Sequence, residues 1–248
     1  MQSKGISMDA WDKFKNNLGE IQISVSEMQL HQFQKYYDLL VEWNSFMNLT
    51  AITDLDEVIN KHFIDSVSLI NAIPDIGEQS ATIIDIGTGA GFPGIPLKII
   101  FPNLKILLLD SLNKRVKFLN EVITKLQLKD IDAIHGRAED IAQNVIYREN
   151  FDFCVSRAVA NLTTLSEYCL PFVKKDGYFI SYKSEKITEE YEQAKKAIHI
   201  LGGEFVKQVD FYLPQTDIYR NLFFIQKVNP APKKYPRKAG LPSKEPLF

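Results

Sequence analysis

Apolar residues recur at intervals of three and four through Met28, Leu30, Phe33, Tyr36, Tyr37, Leu39, Leu40, Trp43 and Phe46. That spacing predicts a helix with one buried face, with Ser26 as the residue before its first turn. A second stretch, Asp56 to Ile73, places Val58, Ile59, Phe63, Val67, Leu69 and Ile70 in the same way and stops before Pro74. From Thr82 onward the period changes. Short apolar runs over Thr82 to Ile86, Lys105 to Leu109, Asp132 to His135, Phe151 to Ser156, Gly177 to Tyr182, Glu204 to Phe211 and Asn221 to Lys227 read as strands. They alternate with helical patterns that begin near Pro96, Asn113, Asp140, Asn161 and Lys186. The alternation predicts an α/β fold, a seven-stranded, mostly parallel, doubly wound sheet with an N-terminal helical subdomain. Only Tyr212 to Arg220 separates the last two strands, so they are expected to form an antiparallel hairpin at one edge, with the last strand reversed. We divide the chain into a helical subdomain (1–75), an α/β domain (76–228) and a tail (229–248), and find no internal repeat.

Directly after the first strand stands Asp85-Ile86-Gly87-Thr88-Gly89-Ala90-Gly91-Phe92-Pro93-Gly94. Glycines at alternate positions let a ligand approach bare backbone. Counted from Gly89 the segment matches the dinucleotide pattern Gly-x-Gly-x-x-Gly, and Asp110 lies at a suitable distance to hold a ribose. Counted from Gly87 it reads Asp-x-Gly-x-Gly-x-Gly, the first motif of S-adenosylmethionine-dependent methyltransferases. Electrostatics favours the second register, because Asp85 repels an anionic pyrophosphate and attracts a sulfonium and an amino group. Pro93 and Pro96 fit only a first helical turn, so the loop spans Gly87 to about Gly91, with Asp85 expected to face the ligand. A sheet whose last strand is reversed also matches that superfamily, whereas a nicotinamide-binding Rossmann domain is usually all parallel.

In such sheets ligands lie outside the carboxyl ends of the strands. Asp110 ends the second strand and is placed to accept from ribose hydroxyls; a backbone amide and the Glu139 carboxylate in Gly136-Arg137-Ala138-Glu139-Asp140 are placed to bracket an adenine. Arg157 ends the fourth strand. Each has a structural alternative: Asp110 and Glu139 as acids at a helix start, Arg157 as a salt-bridge partner.

Composition adds limits. At 248 residues, 45% hydrophobic and 24% charged, the chain can bury a sizeable core, holds one large domain or one domain plus an appendage, and has no uncharged apolar run near the length of a membrane span. The start, Met1 to Asp9, has no apolar stretch of a signal peptide, and the expected location is cytoplasmic. Cys154 and Cys169 lie in apolar surroundings and read as buried, reduced thiols; the four histidines are scattered, so no metal is expected. The formal net charge of −2 hides an asymmetry: residues 229–248 hold five cations against one acid, so the tail carries +4 and the rest −6. Five of the eleven prolines are in the same segment, which reads as an extended arm without packed structure.

Taken in order, Asn48-Leu49-Thr50, His62-Phe63-Ile64-Asp65-Ser66, the glycine loop, Leu109-Asp110-Ser111-Leu112-Asn113-Lys114-Arg115, Arg137-Ala138-Glu139, Ser156-Arg157-Ala158 and the Pro232-Lys233-Lys234-Tyr235-Pro236-Arg237-Lys238 tail resemble the small-subunit ribosomal RNA methyltransferase family known as RsmG or GidB. The resemblance runs from about residue 20 to the end. It implies methylation of a guanine N7 in 16S ribosomal RNA, with S-adenosyl-L-methionine as donor and the RNA or small subunit as partner, without a membrane or an obligate protein partner. By position it assigns Gly87, Phe92, Ala138, Glu139 and Arg157 to the cofactor; Asp85, Gly89, Gly91 and Asp110 join them on the physical grounds above.

Guanine N7 carries a free lone pair, so no proton has to leave before attack and no catalytic acid or base is assigned. Arg157 is the candidate for positioning the base. Methylases of exocyclic amines typically carry Asp/Asn-Pro-Pro-aromatic where this chain has Ser156-Arg157-Ala158-Val159, and neither cysteine follows a proline as in cytosine-C5 enzymes. For RNA contact the expected residues are Arg157, His62, Lys114, Arg115, Lys183, and Lys233, Lys234, Arg237 and Lys238 of the tail, with Asp65 orienting His62. A nicotinamide-dependent oxidoreductase and a non-enzymatic RNA-binding assembly factor remain as alternative readings.

Overall fold

The computed structural model describes residues 9–78, 80–157, 160–185 and 187–247. Seven strands, β1 (Thr82–Ile86), β2 (Lys105–Asp110), β3 (Ile131–His135), β4 (Phe151–Arg157), β5 (Val173–Lys183), β6 (Gly203–Tyr212) and β7 (Tyr219–Lys227), form one sheet in the order β3-β2-β1-β4-β5-β7-β6. All neighbours pair in parallel except β7, which is antiparallel to both β5 and β6. The chain steps outward from β1 to β3 and then returns beside β1 as β4, so the carboxyl ends of β1 and β4 flank the point where the winding reverses.

Period-two alternation sends the strands' apolar side chains into two cores. Ile83, Leu108, Val155, Ile180 and Leu222 enter the first, while Ile84, Leu109, Cys154, Phe179 and Phe223 enter the second. One strand differs from expectation. β5 begins at Val173, four positions before Gly177, because a bulge opposite Phe151 and Phe153 interrupts the ladder and the exposed Lys174, Lys175 and Asp176 mask the alternation.

The first core is shared with the N-terminal helices. α1 (Ala10–Glu20), for which the sequence pattern predicted no element, buries Phe14 and Leu18 one turn apart. α2 (Glu27–Met47) starts at Ser26, whose hydroxyl accepts from the Gln29 amide in a reciprocal capping box, and stops at Asn48 in the left-handed conformation. The expected second helix is segmented: α3 (Leu55–Val58), a π-helical turn (Ile59–Ile64), α4 (Asp65–Val67) and a 3-10 turn (Ser68–Asn71). α5 (Gly94–Ile100) and α6 (Asn113–Lys125) complete this layer. On the other face lie α7 (Ala138–Ile141), α8 (Leu162–Cys169) and α9 (Thr188–Ile200); Lys186, near which α9 was expected to begin, lies outside the described residues, as do Met1 to Met8, Ala158 and Val159.

The tail contradicts the reading of an unpacked arm. Tyr235 is buried in the second core, and the segment ends in a short helix, α10 (Leu241–Lys244). The Arg148 guanidinium donates to the carbonyls of Ala231 and Tyr235, both at 2.9 Å, and Glu149 accepts from the Ala231 amide at 2.7 Å. A proline-rich segment has few amides to satisfy and many carbonyls to offer, and here the body of the protein supplies the donors. Both cysteines are buried and free. Among the described residues, no helix is long and apolar enough to cross a membrane.

Candidate active site

The loop after β1 is held by two carboxylates. Asp85 is fully buried; its Oδ2 accepts from Thr88 Oγ1 at 2.7 Å and from the Gly94 amide at 2.9 Å. Asp110, at the end of β2, accepts from the Gly89 amide at 2.9 Å through one oxygen and from the Leu112 amide at 2.8 Å through the other. Gly87, Gly89 and Gly91 have φ of 68°, 63° and 101°, in the region side chains avoid. A Cβ on Gly91 would fall 2.4 Å from Ile95 Cδ1 and 2.7 Å from the Tyr36 hydroxyl. At Gly89 the nearest atom would be the Gly87 carbonyl, 4.0 Å away, so that face of the loop is open. Tyr36 on α2 donates to the Ala90 carbonyl, which ties the N-terminal layer to the loop.

Two cavities flank this end of the sheet. The smaller, about 260 Å³, is lined by Gly87, Ser111, Gly136, Ala138, Glu139, Tyr168 and, from the tail, Ser243. The larger, about 590 Å³, is lined by His62, Asp65, Arg157, Tyr182, Lys183, Glu190 and Arg220 among others. Asp65 is its central anion. One oxygen takes the Arg157 guanidinium at 2.8 Å and the other takes Arg220 at 2.9 Å. Arg157 also donates to the Lys61 carbonyl at 3.0 Å and lies 5.2 Å above the Phe92 ring, against which His62 stacks at 4.5 Å. Burial and the neighbouring Arg157 charge push the His62 pKa down to about 4. Burial pushes Asp85 up to about 6, against the hydrogen bonds from Thr88 and Gly94 that favour its charged form.

A glycine loop at the winding reversal, with cavities at the same end of the sheet, marks a ligand site, and comparison with known proteins decides its kind. Residues 29–219 match the model of GidB, described as rRNA small subunit methyltransferase G. The chain belongs to the GidB family. A ribosomal RNA small subunit methyltransferase G from Lachnoclostridium phytofermentans is 56% identical over 235 residues, covering 95% of this chain and 96% of that one. Another from Alkaliphilus oremlandii is 50% identical over 240 residues, covering 97% and 100%. A solved structure of a mutant of MtNAS, 13% identical, covers 90% of this chain and all of that one with a TM-score of 0.52, which places the fold. Membership in a methyltransferase family sets aside the nicotinamide-dependent oxidoreductase reading.

For this GidB member the sequence-predicted residues divide between the cavities. Gly87, Ala138 and Glu139 line the smaller one, and Gly89, Gly91 and Asp110 build the loop at its edge. Phe92 and Arg157, expected with them, lie instead with His62 on the side of the larger cavity. Asp85 is corrected: rather than facing a ligand, it points under the loop, and among the described residues its Oδ1 has no hydrogen-bond partner. Glu139 is also engaged, accepting from the Gly240 amide of the tail at 2.8 Å.

The expected RNA cations divide similarly. Lys114 is exposed and donates to the Met47 carbonyl at 3.2 Å, and Arg115 pairs with Asp110 at 3.4 Å. Lys183 faces the larger cavity but is paired with Glu190 at 2.6 Å. Arg237 is corrected: it forms a fork on the buried Glu167 carboxylate, with the closest approach 2.7 Å. Lys233, Lys234 and Lys238 are exposed. His62 is corrected from a cation to a neutral ring. Asp65 does not orient it; the ring's Nε2 meets Thr50 Oγ1 at 3.0 Å, and Asp65 is occupied by the two arginines.

Sequence reasoning missed Arg220, Tyr182 and Tyr36. The signal for Arg220 was present: a charge opening an antiparallel strand lies at the same edge as the residues that close its parallel neighbours. Neither cysteine has the character of a nucleophile, since both are buried and burial pushes the Cys154 thiol up.

Proposed function

We propose that this GidB member methylates the N7 of a guanine in small-subunit ribosomal RNA, in the cytoplasm, with S-adenosylmethionine bound at the glycine loop. The observation that carries the reading is the separation of two cavities across the end of β4, one floored by the loop and one lined by arginines. The smaller cavity, about 260 Å³, lies just under the usual ~300–1,000 Å³ of a ligand site, so it suits part of a ligand whose remainder runs along the open face of Gly89. When bound, the cofactor supplies an electrophilic methyl on a sulfonium.

The donor set fits that group. Bare backbone at Gly87 and Gly136 receives a flat ring, Glu139 and Ser111 offer acceptors for amino and hydroxyl groups, and the buried Asp85 and Asp110 make the loop's surroundings negative toward a cation. In the larger cavity, Asp65 fixes both guanidiniums, which leaves their remaining N–H groups directed and ready for guanine O6 or a phosphate. The imidazole beside Arg157 is unsuited to remove a proton, since His62 is a weak base with a pKa near 4, and both Asp65 oxygens are occupied by arginines. That matches an acceptor nitrogen whose lone pair is already free, where alignment and exclusion of water do most of the work. The exposed Lys233, Lys234 and Lys238 extend the contact to RNA backbone.

Calorimetric titration of the purified protein tests the cofactor assignment. S-adenosylhomocysteine is expected to bind one-to-one with reduced nicotinamide dinucleotide giving no heat; the reverse pattern would remove the assignment.

A further inference from the structure

The tail does more than pack against the body: it closes one side of the smaller cavity. Three of its contacts converge on residues that line or border that space. The Gly240 amide donates to Glu139 Oε1, Ser243 forms part of the wall along with Tyr168 while its hydroxyl donates to the Gly240 carbonyl at 3.0 Å, and the Thr164 hydroxyl donates to the Pro242 carbonyl at 3.3 Å. Upstream, Arg237 clasps Glu167 on α8 with both its backbone amide, at 2.7 Å, and its guanidinium. Glu167 is 1% exposed, and Arg237 is the cation that pairs with it. Further back the attachment consists of Arg148 and Glu149 holding Ala231 and Tyr235, and Gln143 donating to the Pro236 carbonyl. The outer face of the same segment carries the exposed Lys233, Lys234, Lys238 and Lys244.

We infer that residues 229–247 form a strap that serves as the outer wall of the cofactor's adenosine pocket, and that the Arg237–Glu167 pair is its latch. The inference rests on the assignment of S-adenosylmethionine to the glycine loop. Glu139 is the shared element: one carboxylate oxygen holds the strap, and the same side chain lines the pocket. Because the docked strap supplies wall atoms, the ligand binds the docked state more tightly than the undocked one. By reciprocity the ligand then stabilises docking by the same factor. Arg237 is thus a positioning residue, acting on the pocket through Gly240 and Ser243 without touching the ligand.

The test uses the full-length protein and S-adenosylhomocysteine. Two readouts are taken: affinity by calorimetry for the wild type, Arg237→Ala and Arg237→Lys, and hydrogen exchange of the wild-type strap with and without ligand. The strap predicts a loss of about tenfold or more in affinity for Arg237→Ala, partial recovery in Arg237→Lys, and slower exchange over residues 229–247 on saturation. A merely structural latch lowers the melting temperature of Arg237→Ala but leaves affinity and the ligand response of the strap unchanged. That outcome overturns the inference while the cofactor assignment stands. If the wild type itself fails to bind, the assignment falls and the strap's role falls with it. Should Arg237→Ala not fold, the wild-type exchange experiment decides alone: no slowing over residues 229–247 under saturating ligand contradicts the strap.

Discussion

At the scale of single residues, the site is defined by side chains whose ionisation or shape is set by burial. His62 stacks on Phe92 beside the Arg157 charge, and its pKa falls to about 4 from the usual 6.5. The unfolded chain therefore takes up a proton below pH 6.5 that the folded protein refuses until near pH 4. Stability from this source is complete above pH 6.5 and is lost as pH falls toward 4. Denaturant titrations of wild type and His62→Gln are expected to diverge over that range, the wild type losing up to about 3 kcal/mol relative to the variant between pH 7 and pH 4. Parallel curves would place the ring in an ordinary environment.

The glycines make a second contrast. Gly89→Ala meets open space and incurs about 1–2 kcal/mol of left-handed strain, with a larger proportional loss of cofactor affinity than of stability. Gly91→Ala meets Ile95 and Tyr36 at sub-van-der-Waals distance and costs about 3 kcal/mol in thermal or denaturant unfolding. The importance of these glycines was legible in the sequence, because alternate glycines after an apolar strand have few other uses. The direction of Asp85 was not legible. A carboxylate two residues before a glycine is equally consistent with facing the ligand and with turning under the loop, and only the positions of Thr88 and Gly94 decide it.

At the scale of elements, the sheet was readable because its signal is local: period-two apolar runs, turn residues and prolines at helix starts each report on a few neighbouring positions. Five of the seven strands start within one residue of their predicted position. The exceptions have identifiable causes: a bulge at the start of β5 and an earlier, partly polar start to β7 at Tyr219 and Arg220. The segmentation of the second helix left no such trace. Its apolar spacing fits a plain helix, yet a π-helical turn over Ile59–Ile64 brings His62 and Asp65 to the end of β4, where they meet arginines distant in sequence. Coupling between the helical layer and the loop is concentrated in Tyr36, whose hydroxyl donates to the Ala90 carbonyl. Tyr36→Phe leaves that buried carbonyl without this donor, so a loss of about 1–2 kcal/mol in unfolding free energy and a weaker titration with S-adenosylhomocysteine are expected together. Loss of stability with full affinity would show that the loop holds its shape without α2.

At the scale of the whole molecule, two cavities on either side of β4 and a cationic segment on the opposite layer define one working edge of the sheet. The tail shows where composition misleads. Prolines and lysines predict an unpacked arm when the body is ignored, but Arg148, Glu149, Glu167 and Glu139, none of them adjacent in sequence to the tail, fasten it down. Its charge still bears on the partner. Replacing Lys233, Lys234 and Lys238 together by alanine removes three exposed cations and leaves the Arg237 latch in place. If all three contact phosphate, the salt dependence of small-subunit RNA binding drops by about 2 in the log–log slope, measured by filter binding across a salt series. An unchanged slope would place the RNA elsewhere.

The central claim is chemical, and one measurement addresses it most directly. Small ribosomal subunits lacking the modification are incubated with the purified protein and methyl-labelled S-adenosylmethionine, and the RNA is digested to nucleosides and resolved by mass spectrometry. The account predicts label in 7-methylguanosine, at one site per subunit. Label in any other nucleoside, or none transferred by a protein that binds the cofactor, would contradict it.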